Sequence, residues 1–146
     1  PRLVCATINP QSSVEVVVLP RNFEPSAFFK EFGMHAISSQ TFDELIQNTA
    51  DDLVCIFLWG QDCYNCNVFK QTAMGMKEKI QDLNLRWFQA DVYQDEALGL
   101  KFGLHGVPTF VFFYRGRRLG RVSGWQGLPY FTQVVEDLRK KIQQPS

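Results

Sequence analysis

The sequence predicts an α/β domain with a mixed central sheet flanked by helices on both faces. Three observations carry this. Short apolar runs of strand length alternate with stretches whose apolar residues recur every three or four positions. One run, Leu53-Val54-Cys55-Ile56-Phe57-Leu58, is continuous and rich in β-branched and aromatic side chains, as a strand buried on both faces must be. Near the C-terminus, Phe110 to Tyr114 and Leu119 to Ser123 are separated only by Arg115-Gly116-Arg117-Arg118. That pair reads as an antiparallel hairpin added to strands otherwise joined by right-handed crossovers, so the sheet is mixed.

In chain order, Val14 to Leu19 is a predicted strand stopped by Pro20. Ser26 to Phe32 is a short helix, opened by Pro25 or Ser26 and closed by Gly33. His35 to Ser39 is a second short strand. Thr41 then caps a helix, with Glu44 completing a capping box and Phe42, Leu45 and Ile46 facing inward. After the buried run, Val68, Phe69, Thr72, Ala73, Met76 and Ile80 give one apolar face to a helix from about Cys66 to Gln81, with Met74 and Met76 as core fillers. Leu85 to Val92 is a strand, and Asp95 to Phe102 a short helix ending at Gly103. Val107-Pro108-Thr109 leads into the hairpin. Leu128, Phe131, Val134, Val135, Leu138 and Ile142 mark a final helix, with Pro129 in its first turn and Arg139-Lys140-Lys141 near its end, where cations suit the dipole.

Composition narrows the function. The 146 residues are 45% hydrophobic and 21% charged, which suits one globular domain. Lys+Arg and Asp+Glu are both 15, so no charge excess favours nucleic acid or anionic lipid. The longest apolar runs are too short to span a bilayer, and no basic-then-apolar leader opens the chain. The expected compartment is the cytoplasm. Four cysteines, at 5, 55, 63 and 66, are too few for a disulfide framework. A pair at CxxC spacing in such a chain reads as catalytic or metal-binding. A zinc site needs four ligands, and no second CxxC or HxxxH is present. Cys55 lies within the buried run and reads as a small apolar side chain.

Cys63-Tyr64-Asn65-Cys66 sits where the buried strand hands over to a helix N-terminus, whose unpaired N–H groups and dipole stabilise a thiolate. The first cysteine is at the open end. The second, a turn inward, is placed to attack the mixed disulfide that the first one forms. His105, three residues before Pro108, is either a contact for substrate or thiolate, or a plain loop residue.

Trp59, the Cys63–Cys66 motif, Gly106-Val107-Pro108-Thr109 some forty residues on, then Gly116 and Gly124, resemble the thioredoxin family. The resemblance covers roughly His35 to Ile142, which suggests a domain over residues 35–146 and an extension over 1–34 that packs on or docks to it. It implies a thioredoxin-like fold with Pro108 cis against the disulfide and Val107 offering its backbone to an extended substrate. It implies a thiol–disulfide oxidoreductase that reduces protein disulfides, Cys63 attacking and Cys66 resolving. The electrons sit in the two sulfurs, so no cofactor or metal is expected. Protein disulfides and a reductase or small thiol are the expected partners, and a monomer the expected state. Trp59, Tyr64, Val107 and Pro108 form the expected substrate surface, with Trp125 either a further part of it or a packing residue.

The sequence departs from the family pattern at several positions. Asp62 stands where the family has Trp before the first cysteine. Phe57 replaces a buried Asp, and Gln89 the strand lysine beside it, two groups that help move a proton from the inner cysteine. Tyr64-Asn65 replaces Gly-Pro, so Asp62 and Asn65 are candidate modulators of the pair. Gln71 replaces a helix-kinking proline, so a straighter helix is expected. The helix terminus lowers the Cys63 pKa while the Asp62 charge raises it, which predicts a modestly acidic thiol and a reducing couple. The alternative is a binding or chaperone-like module in which the thiols are secondary.

Overall fold

A computed structural model of the chain describes residues 25–143. The predicted strand over Val14–Leu19 and Cys5 lie outside the described residues. In chain order the elements are α1 (Pro25–Glu31), β1 (His35–Ala36), α2 (Phe42–Gln47), β2 (Leu53–Trp59), α3 (Tyr64–Gly75), α4 (Lys77–Gln81), β3 (Arg86–Asp91), α5 (Glu96–Phe102), β4 (Thr109–Tyr114), β5 (Arg117–Ser123) and α6 (Leu128–Gln143).

β2 is the middle strand of a five-stranded sheet ordered β1-β3-β2-β4-β5. Its residues Leu53 to Leu58 are all buried, as a strand covered on both faces requires. β3 runs parallel to it, pairing Phe57 with Gln89 and Trp59 with Asp91, and β1 runs parallel to β3. β4 runs antiparallel to β2, and β5 antiparallel to β4, so the sheet is mixed as predicted. The pleat divides β2 between two cores. Leu53, Cys55 and Phe57 face the layer of α1, α3, α4 and α6, while Val54, Ile56 and Leu58 face α2 and α5.

The first of these cores is strongly aromatic. Phe69 of α3 lies 4.8 Å from Phe57, 4.9 Å from Phe110 and 4.8 Å from Trp125, between ring centroids. α1 adds Phe28 and Phe29 to the same cluster, the turn after it adds Phe32, and its Glu31 pairs with Lys77 of α4 at 2.9 Å. Gly33 follows α1 with φ 64°, the left-handed ending expected of a glycine there.

Three expectations are corrected. The helix expected from Cys66 to Gln81 is two helices, although the first runs unbroken through Gln71. α3 ends at Gly75, and Met76 (φ −128°, ψ 46°) turns the chain while its N–H still bonds the carbonyls of Thr72 and Ala73. The break falls at a glycine of low helix propensity, not at Gln71. Met74 and Met76 consequently lie on the surface and are not core fillers. The capping box at Thr41 does not form. Thr41 has φ −105° and ψ −5°, not the extended backbone a cap needs, and its hydroxyl accepts from the Ser38 N–H at 3.0 Å instead.

Candidate active site

β2 delivers Trp59 to the C-terminal end of the central strand, and the chain then passes through Gly60 and Asp62 into α3. A Cβ on Gly60 would meet the Tyr93 ring at 2.5 Å, so the strand end passes this ring only without a side chain. Asp62 takes a left-handed backbone, φ 58°, which aims the next residue at the helix axis. That residue, Cys63, is the N-cap of α3, and its sulfur accepts from the Cys66 N–H at 3.1 Å. Cys63 and Cys66 are joined as a disulfide with their Cα atoms 5.3 Å apart. They differ in access: Cys66 is 1% exposed, whereas Cys63 is only partly buried at the surface end of the helix.

The segment before β4 closes over the pair. The Val107–Pro108 peptide is cis, and the Val107 carbonyl oxygen lies 3.7 Å from Cys63 Sγ. The Pro108 carbonyl accepts from the Gly124 N–H at 2.7 Å, and the Thr109 hydroxyl donates to the Gly106 carbonyl at 2.9 Å, which pins both sides of the turn. Val107 precedes the first residue of β4, so its amide is outside the ladder. A shallow depression of about 230 Å³ adjoins it, between His105–Thr109 and the Arg121–Gly124 end of β5.

Of the residues singled out in the sequence, Cys63, Cys66, Val107 and Pro108 converge, and Trp59 ends the strand that leads into them. Trp59 is half-buried, and its indole N–H donates to Gln89 Oε1 at 2.8 Å. Tyr64 is exposed on the first turn of α3, beside the disulfide. Asn65 is half-buried, its amide nitrogen 3.8 Å from where a Cβ on Gly124 would stand, so it lies beside the turn that follows β5. His105 is exposed at the rim of the depression. Trp125 does not join the surface. It is 8% exposed and packs on Phe69, Phe110 and Phe131, because Gly124 turns the chain inward after β5. Cys55 is fully buried, and burial pushes its thiol pKa up. Among the described residues no group of three or more His, Cys, Asp and Glu side chains is gathered to hold a metal.

Two residues near the pair escaped the sequence reading. Gln89 was recognised only as the loss of a lysine, yet it orients Trp59. Lys70 was not singled out at all. It is 6% exposed, on the same face of α3 as Cys66, Phe69 and Ala73. Its spacing of four from Cys66 was the available signal.

A reversible pair of thiols at an accessible helix end is the working group of thiol–disulfide oxidoreductases, and fold and site together place this protein in that class. Comparison with known proteins narrows it. The thioredoxin family model matches residues 33–137, and the chain belongs to the thioredoxin family. It is similar to thioredoxin of Oryctolagus cuniculus, 26% identical over 87 residues that make up 60% of this chain and 81% of the relative. It is also similar to thioredoxin of Malassezia sympodialis, 28% identical over 89 residues, 58% of this chain and 81% of the relative. Among solved structures, spinach chloroplast thioredoxin f in its short form superposes with a TM-score of 0.61 at 20% identity, covering 73% of this chain and 93% of that one. That likeness shows the fold. No helix among the described residues is long and apolar enough to cross a membrane.

Proposed function

We propose that the protein reduces disulfides in protein substrates, with Cys63 as nucleophile and Cys66 as resolving thiol. The observation that carries this is the asymmetry of the pair: Cys63 is reachable at the helix N-cap, and Cys66 is buried one turn in. The Cys63 thiolate, held by the Cys66 N–H and the helix dipole, attacks one sulfur of a substrate disulfide, and the other leaves as a thiol after taking a proton. Cys66, deprotonated, then attacks the Cys63 sulfur, releases the second substrate thiol and closes the Cys63–Cys66 disulfide. A reductase or small thiol returns the pair to the dithiol. An extended substrate segment fits beside Val107, whose amide is unused by the sheet, with Trp59, Tyr64 and Pro108 forming the apolar surroundings. The Asp62 charge beside Cys63 disfavours the thiolate and so favours a reducing couple.

A second reading, a partner-binding module, is favoured by one observation: position 57 is a phenylalanine stacked on Phe110 at 5.4 Å, so the carboxylate that the resemblance expects there is absent. Equilibration against a glutathione series separates the two. A reversible potential between about −200 and −270 mV supports the reductase. A pair that cannot be cycled, with partner binding unaffected by Cys63→Ser, leaves the module.

A further inference from the structure

We propose that Lys70 governs the ionisation of the Cys66 thiol, its positive charge favouring the thiolate at a site where Phe57 leaves no carboxylate to accept the proton. The inference deepens the proposed reaction and rests on Cys66 being its resolving thiol.

Lys70 is the one charged side chain that is buried among the described residues. It stands four positions after Cys66 on the buried face of α3. Helical side chains lean toward the N-terminus of their helix, so the lysine chain runs back toward the Cys66 turn. Its ammonium is located by three rings, with Nζ 4.9 Å from the centroid of Trp59, 5.4 Å from Phe29 and 6.0 Å from Phe28. Trp59 ends the strand that enters the active turn, so the charge is held just beneath that turn. No carboxylate among the described residues is within ion-pair distance of it.

The groups around it decide how it behaves. α1 and β2 present only rings, Phe28, Phe29 and Trp59, whose faces attract a cation. β3 contributes the charge of Asp91, which favours the ammonium. On α3, Cys66 stands one turn before Lys70 on the same buried face. Burial outweighs Asp91 and brings the lysine pKa down to about 8. At neutral pH Lys70 therefore remains mostly an ammonium, in surroundings where its field is weakly screened. Burial alone would keep Cys66 protonated. The ammonium favours the Cys66 thiolate, and the proton that Cys66 gives up goes to the departing substrate sulfur. Attack of the thiolate on Cys63 then closes the disulfide, with two electrons passed to the substrate.

The test measures Cys66 without turnover. In a Cys63→Ser background, the rate of Cys66 alkylation, resolved by site with mass spectrometry, is followed against pH for Lys70, Lys70→Met and Lys70→Arg. Lys70→Met is expected to raise the Cys66 midpoint by about one pH unit and to slow alkylation about tenfold at neutral pH, while Lys70→Arg, which keeps the charge, restores most of it. If Lys70→Met folds and Cys66 titrates as before, the inference fails, and Lys70 is a packing residue. If Lys70→Met does not fold, Lys70→Gln takes its place under the same criterion. A protein that cycles normally while these titrations coincide loses this inference alone; one that does not cycle loses the reductase reading, whatever the titrations show.

Discussion

The sulfur of Cys63 lies 3.7 Å from the carbonyl oxygen of Val107, across 44 residues of sequence. That contact brings the more accessible member of the disulfide against the backbone where the proposed substrate strand would pair. In the proposed reaction, a substrate disulfide lying along Val107 would meet Cys63 and not Cys66, which is buried.

The two cysteines should therefore fail in different ways. Cys63→Ser is expected to abolish disulfide reduction. Cys66→Ser is expected to leave the first step intact and to accumulate a mixed disulfide with the substrate through Cys63, visible as an adduct by intact-mass measurement. Equal adduct formation by both variants would overturn the assignment of roles.

Gln89 holds Trp59 through a hydrogen bond of 2.8 Å. Gln89→Ala removes it and leaves a half-buried indole N–H without its acceptor, at a cost of about 1 kcal/mol. Urea unfolding should show a lower midpoint with an unchanged slope. Disulfide reduction should also slow, since Trp59 flanks the active turn.

Phe28 is 1% exposed and touches Phe29, Phe32 and Phe69 from a helix that lies before the span matched by the family model. Phe28→Ala is expected to cost about 3–5 kcal/mol, the range for emptying a buried aromatic site. Denaturant titration of the oxidised protein measures it. A loss under 1 kcal/mol would mean that α1 is not part of the cooperative unit.

Lys70 predicts a pH dependence of stability. Its pKa falls from the ordinary 10.5 to about 8 on folding, so between these values the unfolded chain binds more protons than the folded one. Stability from this group is least below pH 8 and rises toward pH 10.5, by up to about 3 kcal/mol. Cys55 acts in the opposite sense above its ordinary value of 9.0, because burial raises its pKa. Comparing the oxidised protein with Lys70→Met cancels the Cys55 contribution. The variant should lack the rise, and parallel stability curves from pH 7 to 10 would contradict it.

The sheet, its hairpin and the place of the cysteine pair were legible because each depends on local pattern. Leu53 to Leu58 could bury both faces only as a central strand, and Gly33 and Gly103 close α1 and α5 where the left-handed backbone favours glycine. The cis bond before Pro108 also followed, through the resemblance. What escaped depends on neighbours distant in sequence. The Thr41 hydroxyl was claimed by Ser38, and the methionines of α3 and the following turn came to the surface where the helix broke at Gly75. Lys70 shows the difference most plainly. A lysine on a helix reads as a solvated charge, and only the packing of Phe28, Phe29 and Trp59 from two other elements buries it. Periodicity is written along the chain and determines which faces are apolar; the burial of a single charge is set by what the fold stacks above it, and that belongs to the tertiary structure alone.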